Sequence, residues 1–393
     1  MSKSKNIRWT TKNPKKTGFL IFIFMLFFIL LIFDRTISYI QPIETNKKSG
    51  IKRAINFREN HPEVDRVIRP EDPILQNSDN LIEQDYPFRT DSNGFLLPNN
   101  NHSNPDHKIV FIGGSTTECI YVNENNRFPY LVGQLLEKKT NKLINTYNSG
   151  KSGNSTVHSL DVLLNKIIPI EPDMVVIMHA INDYALLCYD HTYWPVGTTR
   201  STIITIKDYL PKIKKETFAW HLKGLFRSIY PNIYYRIFLV KERILNPPKP
   251  KKPYDEWADR RHMVKDRDFN FMQKEFKWAL QTLVTISKTR EVLPVLMTQA
   301  NRFTDNPDKF ILKSMNPLLS GGITYETFKK EYDTFNEIIR EVAKANEIPL
   351  IDLAKLVPQD KKYMYDSIHY NDMGSKFVAN IISEQLIDLI IKN

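Results

Sequence analysis

The sequence predicts an α/β domain in which a parallel sheet of about five strands is covered by helices on both faces. Three observations predict it. From residue 107, short apolar runs alternate with longer stretches of helical character, the βαβαβ rhythm of a parallel sheet. The rhythm stops near residue 190 and resumes near 271, so both blocks belong to one sheet. Hydrophobic residues make up 41% and charged residues 25% of 393, which suits one large domain plus an appendage and excludes global disorder.

The appendage comes first. Lys3, Lys5, Arg8, Lys12, Lys15 and Lys16 occupy residues 1–16 with no acid, so six of the eleven net positive charges sit there. The remainder is spread thinly with no basic stripe, which argues against a nucleic-acid partner. Gly18 to Phe33 is uninterrupted apolar sequence. As a helix it spans roughly 24 Å, and Lys15, Lys16 and Arg35 can snorkel to close the gap to a ~30 Å hydrocarbon core. A cleaved signal peptide is the rival reading, but Asp34-Arg35-Thr36-Ile37-Ser38 is a poor small-residue cleavage site. We read residues 17–40 as an uncleaved transmembrane signal anchor. The basic tail 1–16 is then cytoplasmic and the rest of the chain extracytoplasmic, periplasmic or on the cell surface.

Residues 41–106 read as a tether and hairpin extension. Pro42, Pro62, Pro70 and Pro73 interrupt a polar stretch without period, and Asn93-Gly94 between short apolar flanks marks a hairpin. Within 107–393, Ile109–Ile112, Leu143–Tyr147 and Met174–Met178 read as the first three strands, with helices over 128–139 and 156–168 between them. A helix over 271–288, a strand over 292–297, a helix over 328–346, a strand over 348–353 and a closing helix over 373–391 complete the domain. Residues 190–268 interrupt it. A structureless loop of that length is improbable, so this aromatic-rich segment is expected to be an inserted subdomain or lid. Cys119 and Cys188 allow one disulfide but no disulfide framework.

Four short segments carry chemistry. Ile112-Gly113-Gly114-Ser115-Thr116-Thr117-Glu118 puts a serine on a tight turn just after a strand, at the sheet edge where ligands of open α/β folds bind. The same serine could simply cap a helix. A phosphate loop is excluded, because no Gly-Lys-Ser/Thr follows. Asp366-Ser367-Ile368-His369 puts a carboxylate and an imidazole on one loop, and a serine nucleophile requires a base oriented in that way. Chance and a metal site are the alternatives there, though no third and fourth ligand stand at suitable spacing. Ser152-Gly153-Asn154 follows the second strand and Ala180-Ile181-Asn182-Asp183 the third. An acyl-transfer site needs N–H donors for an oxyanion, which the Gly153 backbone and the Asn182 amide can supply, although both also suit ordinary turns.

Taken in order, these segments resemble the four blocks of the SGNH/GDSL hydrolases: Gly-Gly-Ser115, Ser-Gly153-Asn, Ala-Ile-Asn182-Asp and Asp366-x-x-His369, with His369-Tyr-Asn-Asp-Met-Gly374 leading into a last helix. The resemblance covers roughly 107–390, with 190–268 unmatched. It departs from the family's commonest form at Gly114, where Asp is usual, and at Ala180, where Gly is usual and the added methyl bears on the reach of Asn182. The resemblance implies a three-layer α/β/α sandwich of the SGNH/flavodoxin-like kind and no metal or organic cofactor. It implies Ser115 as nucleophile, His369 as base and Asp366 as its orienting acid, with the N–H groups of Ser115 and Gly153 and the Asn182 amide as oxyanion hole. The expected function is an O-acyl or O-acetyl esterase acting on an envelope glycan or lipid. An O-acyltransferase of cell-envelope polysaccharide uses the same residues and stays open, as does a non-catalytic SGNH-fold envelope protein.

Overall fold

Apolar runs with no polar alternation become strands where helices can cover both of their faces. The computed structural model describes residues 12–40, 57–195, 198, 200–201, 218–245 and 256–392. In chain order, helix α1 (Pro14–Ile40) precedes the strands β1 (Asp65–Ile68), β2 (Tyr86–Arg89) and β3 (His107–Gly113). The short helix α2 (Ser115–Glu118), helix α3 (Phe128–Thr140), β4 (Ile144–Asn148), α4 (Thr156–Val162), β5 (Met174–Met178) and α5 (Ile181–Asp190) follow. Next come α6 (Phe218–Ile229), α7 (Pro231–Leu245) and α8 (Phe269–Thr289). Strand β6 (Leu293–Met297), α9 (Tyr325–Ala345), β7 (Leu350–Ile351) and α10 (Asp372–Lys392) close the chain.

Two compact units result. One combines Met1–Lys47 with Ile206–Tyr254, and the other combines Lys48–Thr205 with Asp255–Asn393. In the larger unit a five-stranded sheet has the order β4-β3-β5-β6-β7, with every neighbouring pair parallel. Side chains alternate between its faces. Ile109, Phe111, Val176, Met178, Val295 and Met297 pack under α3 and α10. Val110, Ile112, Val175, Ile177 and Leu296 pack under α4, α5, α8 and α9. The result is three layers. Helix α9 shows why its sequence folds so: Phe328, Tyr332, Phe335, Ile339 and Val342 repeat on one buried stripe, and Thr324 caps it by accepting from the Thr327 N–H.

The strand order reverses direction at β3 and β5, and the crevice beyond their carboxyl ends is where such folds bind ligands. Serine, glycine and asparagine segments leave the sheet at that edge.

Several boundaries differ from the sequence reading. Residues 41–56 lie outside the described residues; of the expected tether and hairpin, residues 61–85 are largely exposed while the hairpin end is packed. Phe88, Phe95 and Leu96 are buried, and the buried Lys166 donates to the Gly94 carbonyl at 3.0 Å with its charge 4.3 Å from the Phe95 ring centre. The Asn93-Gly94 turn does form, with Asp91 and Phe95 paired across it. Only 206–254 of the expected insertion 190–268 leaves the larger unit. The helix expected over 156–168 is regular to Val162 and then widens into a π-turn over Leu163–Ile167. Strand β7 keeps two residues of the six expected. Cys119 and Cys188 are both buried and free.

Candidate active site

Gly113 ends β3 because nothing larger fits: a Cβ there would overlap the Thr117 hydroxyl and approach the Met178 carbonyl to 2.7 Å. The chain then turns at Gly114 and starts α2 at Ser115. A methyl at Gly114 would overlap the Asn182 amide nitrogen, so Asn182 lies directly against the turn that carries Ser115.

The last loop meets this turn from the other end of the sequence. His369 Nε2 lies 2.7 Å from Ser115 Oγ, and His369 Nδ1 lies 2.6 Å from Asp366 Oδ2. The other Asp366 oxygen accepts from the N–H groups of Ile368 at 2.9 Å and His369 at 2.8 Å. The loop is held from outside as well: Arg302 donates its N–H to the Ser367 carbonyl at 2.8 Å and its guanidinium to the Asp366 carbonyl at 3.3 Å. The Tyr365 ring stacks on the His369 ring with 5.5 Å between centres and 6° between planes, fixing the imidazole's tilt.

Burial disfavours charge on both partners, yet each stabilises the other's ion. Burial alone would raise the Asp366 carboxyl; the facing imidazole and the two backbone N–H groups outweigh it and hold the carboxyl below its ordinary value. Burial alone would lower His369; the Asp366 charge and hydrogen bond, helped by Glu118, raise it above its ordinary value.

Gly153 adopts φ +78°, a left-handed conformation that glycine enters without strain. Its loop is braced on every side. The Glu118 carboxylate accepts from the Ser152 N–H at 2.7 Å and from the Ser152 hydroxyl. The Asp183 carboxylate accepts from the Thr156 N–H at 2.9 Å and from the Tyr193 hydroxyl at 2.6 Å. Burial pushes the Asp183 carboxyl up to about 6. Asn182 Nδ2 donates to the Asn154 carbonyl at 3.0 Å, which leaves its second N–H. Ala180 is buried with φ −173°, an extended conformation open to any residue, so its methyl is absorbed by the core while Asn182 still reaches Gly114.

Sequence reasoning did not single out the two arginines beside Gly153. Arg200 donates to the Gly153 carbonyl at 2.5 Å and to Asn182 Oδ1 at 3.2 Å, and Glu256 pairs with its guanidinium. Arg58 donates to Asn154 Oδ1 at 3.1 Å and to the Ser152 carbonyl at 2.9 Å. Neither sits in a motif; both come from stretches outside the sheet. Gln299, at the end of β6, ties the edge together by donating to the Thr116 hydroxyl at 2.9 Å and accepting from the Ile181 N–H at 2.9 Å. Among the described residues no group of three His, Cys, Asp or Glu side chains could hold a metal ion.

A family model described as GDSL-like lipase/acylhydrolase matches residues 111–377. This chain belongs to that family and is an ester-hydrolysing enzyme. Among solved structures it is similar to an acetylxylan esterase from Geobacillus stearothermophilus, at 15% identity and a TM-score of 0.39, over 71% of this chain and 94% of that one. A lipase/acylhydrolase from Enterococcus faecalis is similar at 16% identity and a TM-score of 0.39, over 72% of this chain and 96% of that one. No curated protein matches the sequence.

Proposed function

We propose that the enzyme works through an acyl-enzyme on Ser115, with His369 as general base and Asp366 as the carboxylate that orients it. The observation that carries the reading is the unbroken hydrogen-bonded chain from Ser115 Oγ through both His369 nitrogens to Asp366 Oδ2. His369 Nε2 takes the hydroxyl proton as Oγ bonds to the ester carbonyl carbon. The Ser115 and Gly153 N–H groups and the second N–H of Asn182 receive the oxyanion. When the tetrahedral intermediate collapses, the bond to the alcohol oxygen breaks and His369 hands that oxygen the proton. Water, activated by the same imidazole, then releases the acid and restores Ser115.

The substrate class we propose is an O-acyl or O-acetyl ester of an envelope glycan or lipid. The reading is supported by helix α1, whose 24-residue Pro14–Ile37 portion contains an 18-residue window of mean hydropathy 2.6 that is almost wholly unburied. A helix of that length and composition suits a membrane anchor for an extracytoplasmic enzyme. A fluorophosphonate probe tests the nucleophile: it should label the wild type and fail on Ser115→Ala. Equal labelling of both, or of neither, sinks the proposal. Acetate released from an acetylated glycan in water alone then marks a hydrolase, and acetate transferred only when a glycan acceptor is added marks a transferase.

A further inference from the structure

Helices α6 and α7 are the part of the chain that the esterase chemistry leaves unexplained. They join at Tyr230 and belong to the same unit as α1. In α6 the large apolar residues Phe218, Leu222, Leu225, Phe226 and Ile229 recur at helical spacing and occupy an arc of roughly 100° at 100° per residue. Lys223, Arg227 and Ser228 lie on the opposite side. In a water-soluble unit that apolar arc would be packed; here Phe218 is 79%, Leu222 50% and Leu225 58% exposed. Helix α7 repeats the pattern, with Ile237, Val240 and Ile244 on one stripe at 56%, 58% and 70% exposure.

This pair is fastened to α1, and the fastening fixes its depth. The Asp34 carboxylate, fully buried, accepts from the Ile233 N–H at 2.8 Å and from the Asn232 amide at 3.0 Å, so a residue of α1 caps the first turn of α7. The Tyr230 hydroxyl donates to the Phe27 carbonyl at 3.2 Å, and the two rings meet edge to face at 5.8 Å. A phenol at hydrocarbon depth requires such a partner, and the second lone pair of a helix carbonyl is one of few available. From Phe27 to Asp34 is about 10 Å along the helix axis. Asp34 and Arg35 end the apolar run, so Tyr230 reaches about 10 Å inward from the polar boundary, the depth to which interfacial helices sink. Of the six charged residues in 218–245, five are basic and only Glu242 is acidic. That balance suits an anionic headgroup layer.

We infer that α6 and α7 form a second membrane contact, a lipid-facing helix pair latched to the anchor by Asp34 and Tyr230, with their apolar faces among the acyl chains of the leaflet that the end of α1 crosses. The inference rests on the reading of α1 as an anchor. It assigns α6 and α7 to the bilayer surface rather than to a lid.

The test places a fluorophore on the full-length protein in phosphatidylcholine vesicles that contain phosphatidylserine. Phe24→Cys, Leu225→Cys, Val240→Cys and Arg227→Cys are labelled one at a time, with the buried Cys119 and Cys188 as the unlabelled background. Quenching by a lipid spin-labelled on its acyl chain is compared with quenching by aqueous iodide. The expected result is lipid quenching at 225 and 240 about threefold above that at 227, close to that at 24, and iodide quenching in the reverse order. Iodide access at 225 and 240 equal to that at 227 would overturn the inference. So would protection from both quenchers, because protein would then cover the faces. Lipid quenching at 24 without it at 225 and 240 leaves the anchor standing and removes the second contact; no lipid quenching at 24 removes both.

Discussion

The Glu118 carboxylate holds Ser152 by its backbone N–H at 2.7 Å and by its hydroxyl, and so couples the turn that presents Ser115 to the loop that presents Gly153. The two backbone N–H groups proposed for the oxyanion, those of Ser115 and Gly153, therefore both depend on one buried acid. Glu118→Ala should leave an unpaired N–H beside the site and a Gly153 loop free to drift. We expect kcat/KM for p-nitrophenyl acetate to fall about 10- to 100-fold, mostly in kcat, with Ser115 still labelled by a fluorophosphonate. A change confined to KM would show that the brace does not serve the oxyanion.

Replacement of the hydrogen-bonded triple should be far more damaging. Ser115→Ala, His369→Ala and Asp366→Asn are each expected to lower kcat by about 10³-fold or more, and the double variant Ser115→Ala/His369→Ala should be little worse than either alone. Steady-state hydrolysis of a short p-nitrophenyl ester series measures this. Losses that multiply in the double variant would mean that the two residues do not act as a unit.

The pH profile follows from the direction of the His369 shift. As the proposed base it must be neutral, and Asp366 holds its pKa above the ordinary 6.5. Activity should therefore rise with pH along a limb centred above 6.5. In Asp366→Asn the supporting charge is gone while burial remains, so the residual activity should have its limb at lower pH. A limb that stays in place between the two proteins would contradict the coupling.

Asp183 gives a stability prediction of opposite character. Its folded pKa of about 6 lies above the ordinary 3.8, so the folded state favours the protonated acid. That contribution is complete below about 3.8 and is lost as pH rises through about 6, at a cost on the order of 3 kcal/mol. Asp183→Asn keeps an acceptor for the Thr156 N–H and the Tyr193 hydroxyl and carries no charge to bury. Melting temperatures of the two proteins should therefore diverge between pH 4 and pH 7, in favour of the variant at the higher pH. Parallel curves would show that Asp183 is not protonated on burial.

In α1, Asp34→Ala removes the acceptor that caps α7. A lost helix cap typically costs about 1 kcal/mol. Amide hydrogen exchange over 231–236 should quicken roughly fivefold, while exchange in α1 stays unchanged. Faster exchange throughout α1 would instead mean that Asp34 supports its own helix.

The sheet was legible because β3, β5 and β6 contain short apolar runs flanked by turn residues, while the more polar β4 (Ile-Asn-Thr-Tyr-Asn) is placed by the rhythm around it. Strand β7 was overextended because Pro349 and Asp352 bracket its paired residues, and run length alone does not show where pairing stops. Ser115, Gly153, Asn182, Asp366 and His369 stood out as short blocks after strands, and the structure draws Ser115, His369 and Asp366 into one hydrogen-bonded chain. Arg58 and Arg200 were invisible for a physical reason: each acts through a loop far away in sequence, and a lone arginine in a polar stretch carries no period. The attachment of α7 to α1 was hidden likewise, since nothing near Asp34 indicates that its partner lies at 233.

The stretch between α1 and the sheet has a consequence for how the larger unit assembles. Asp79 donates its N–H to the Tyr365 carbonyl at 2.7 Å, and Asn80 Nδ2 reaches the Lys361 carbonyl at 2.5 Å across 281 positions. Residues 79–80 therefore gain these partners only once the loop that carries Asp366 and His369 has arrived. So distant a closure is of the kind associated with slow assembly. Loss of the chain from Lys361 onward should free residues 79–80 and expose them to proteases, while Arg58 and Gly94 keep their bonds to Ser152 and Lys166.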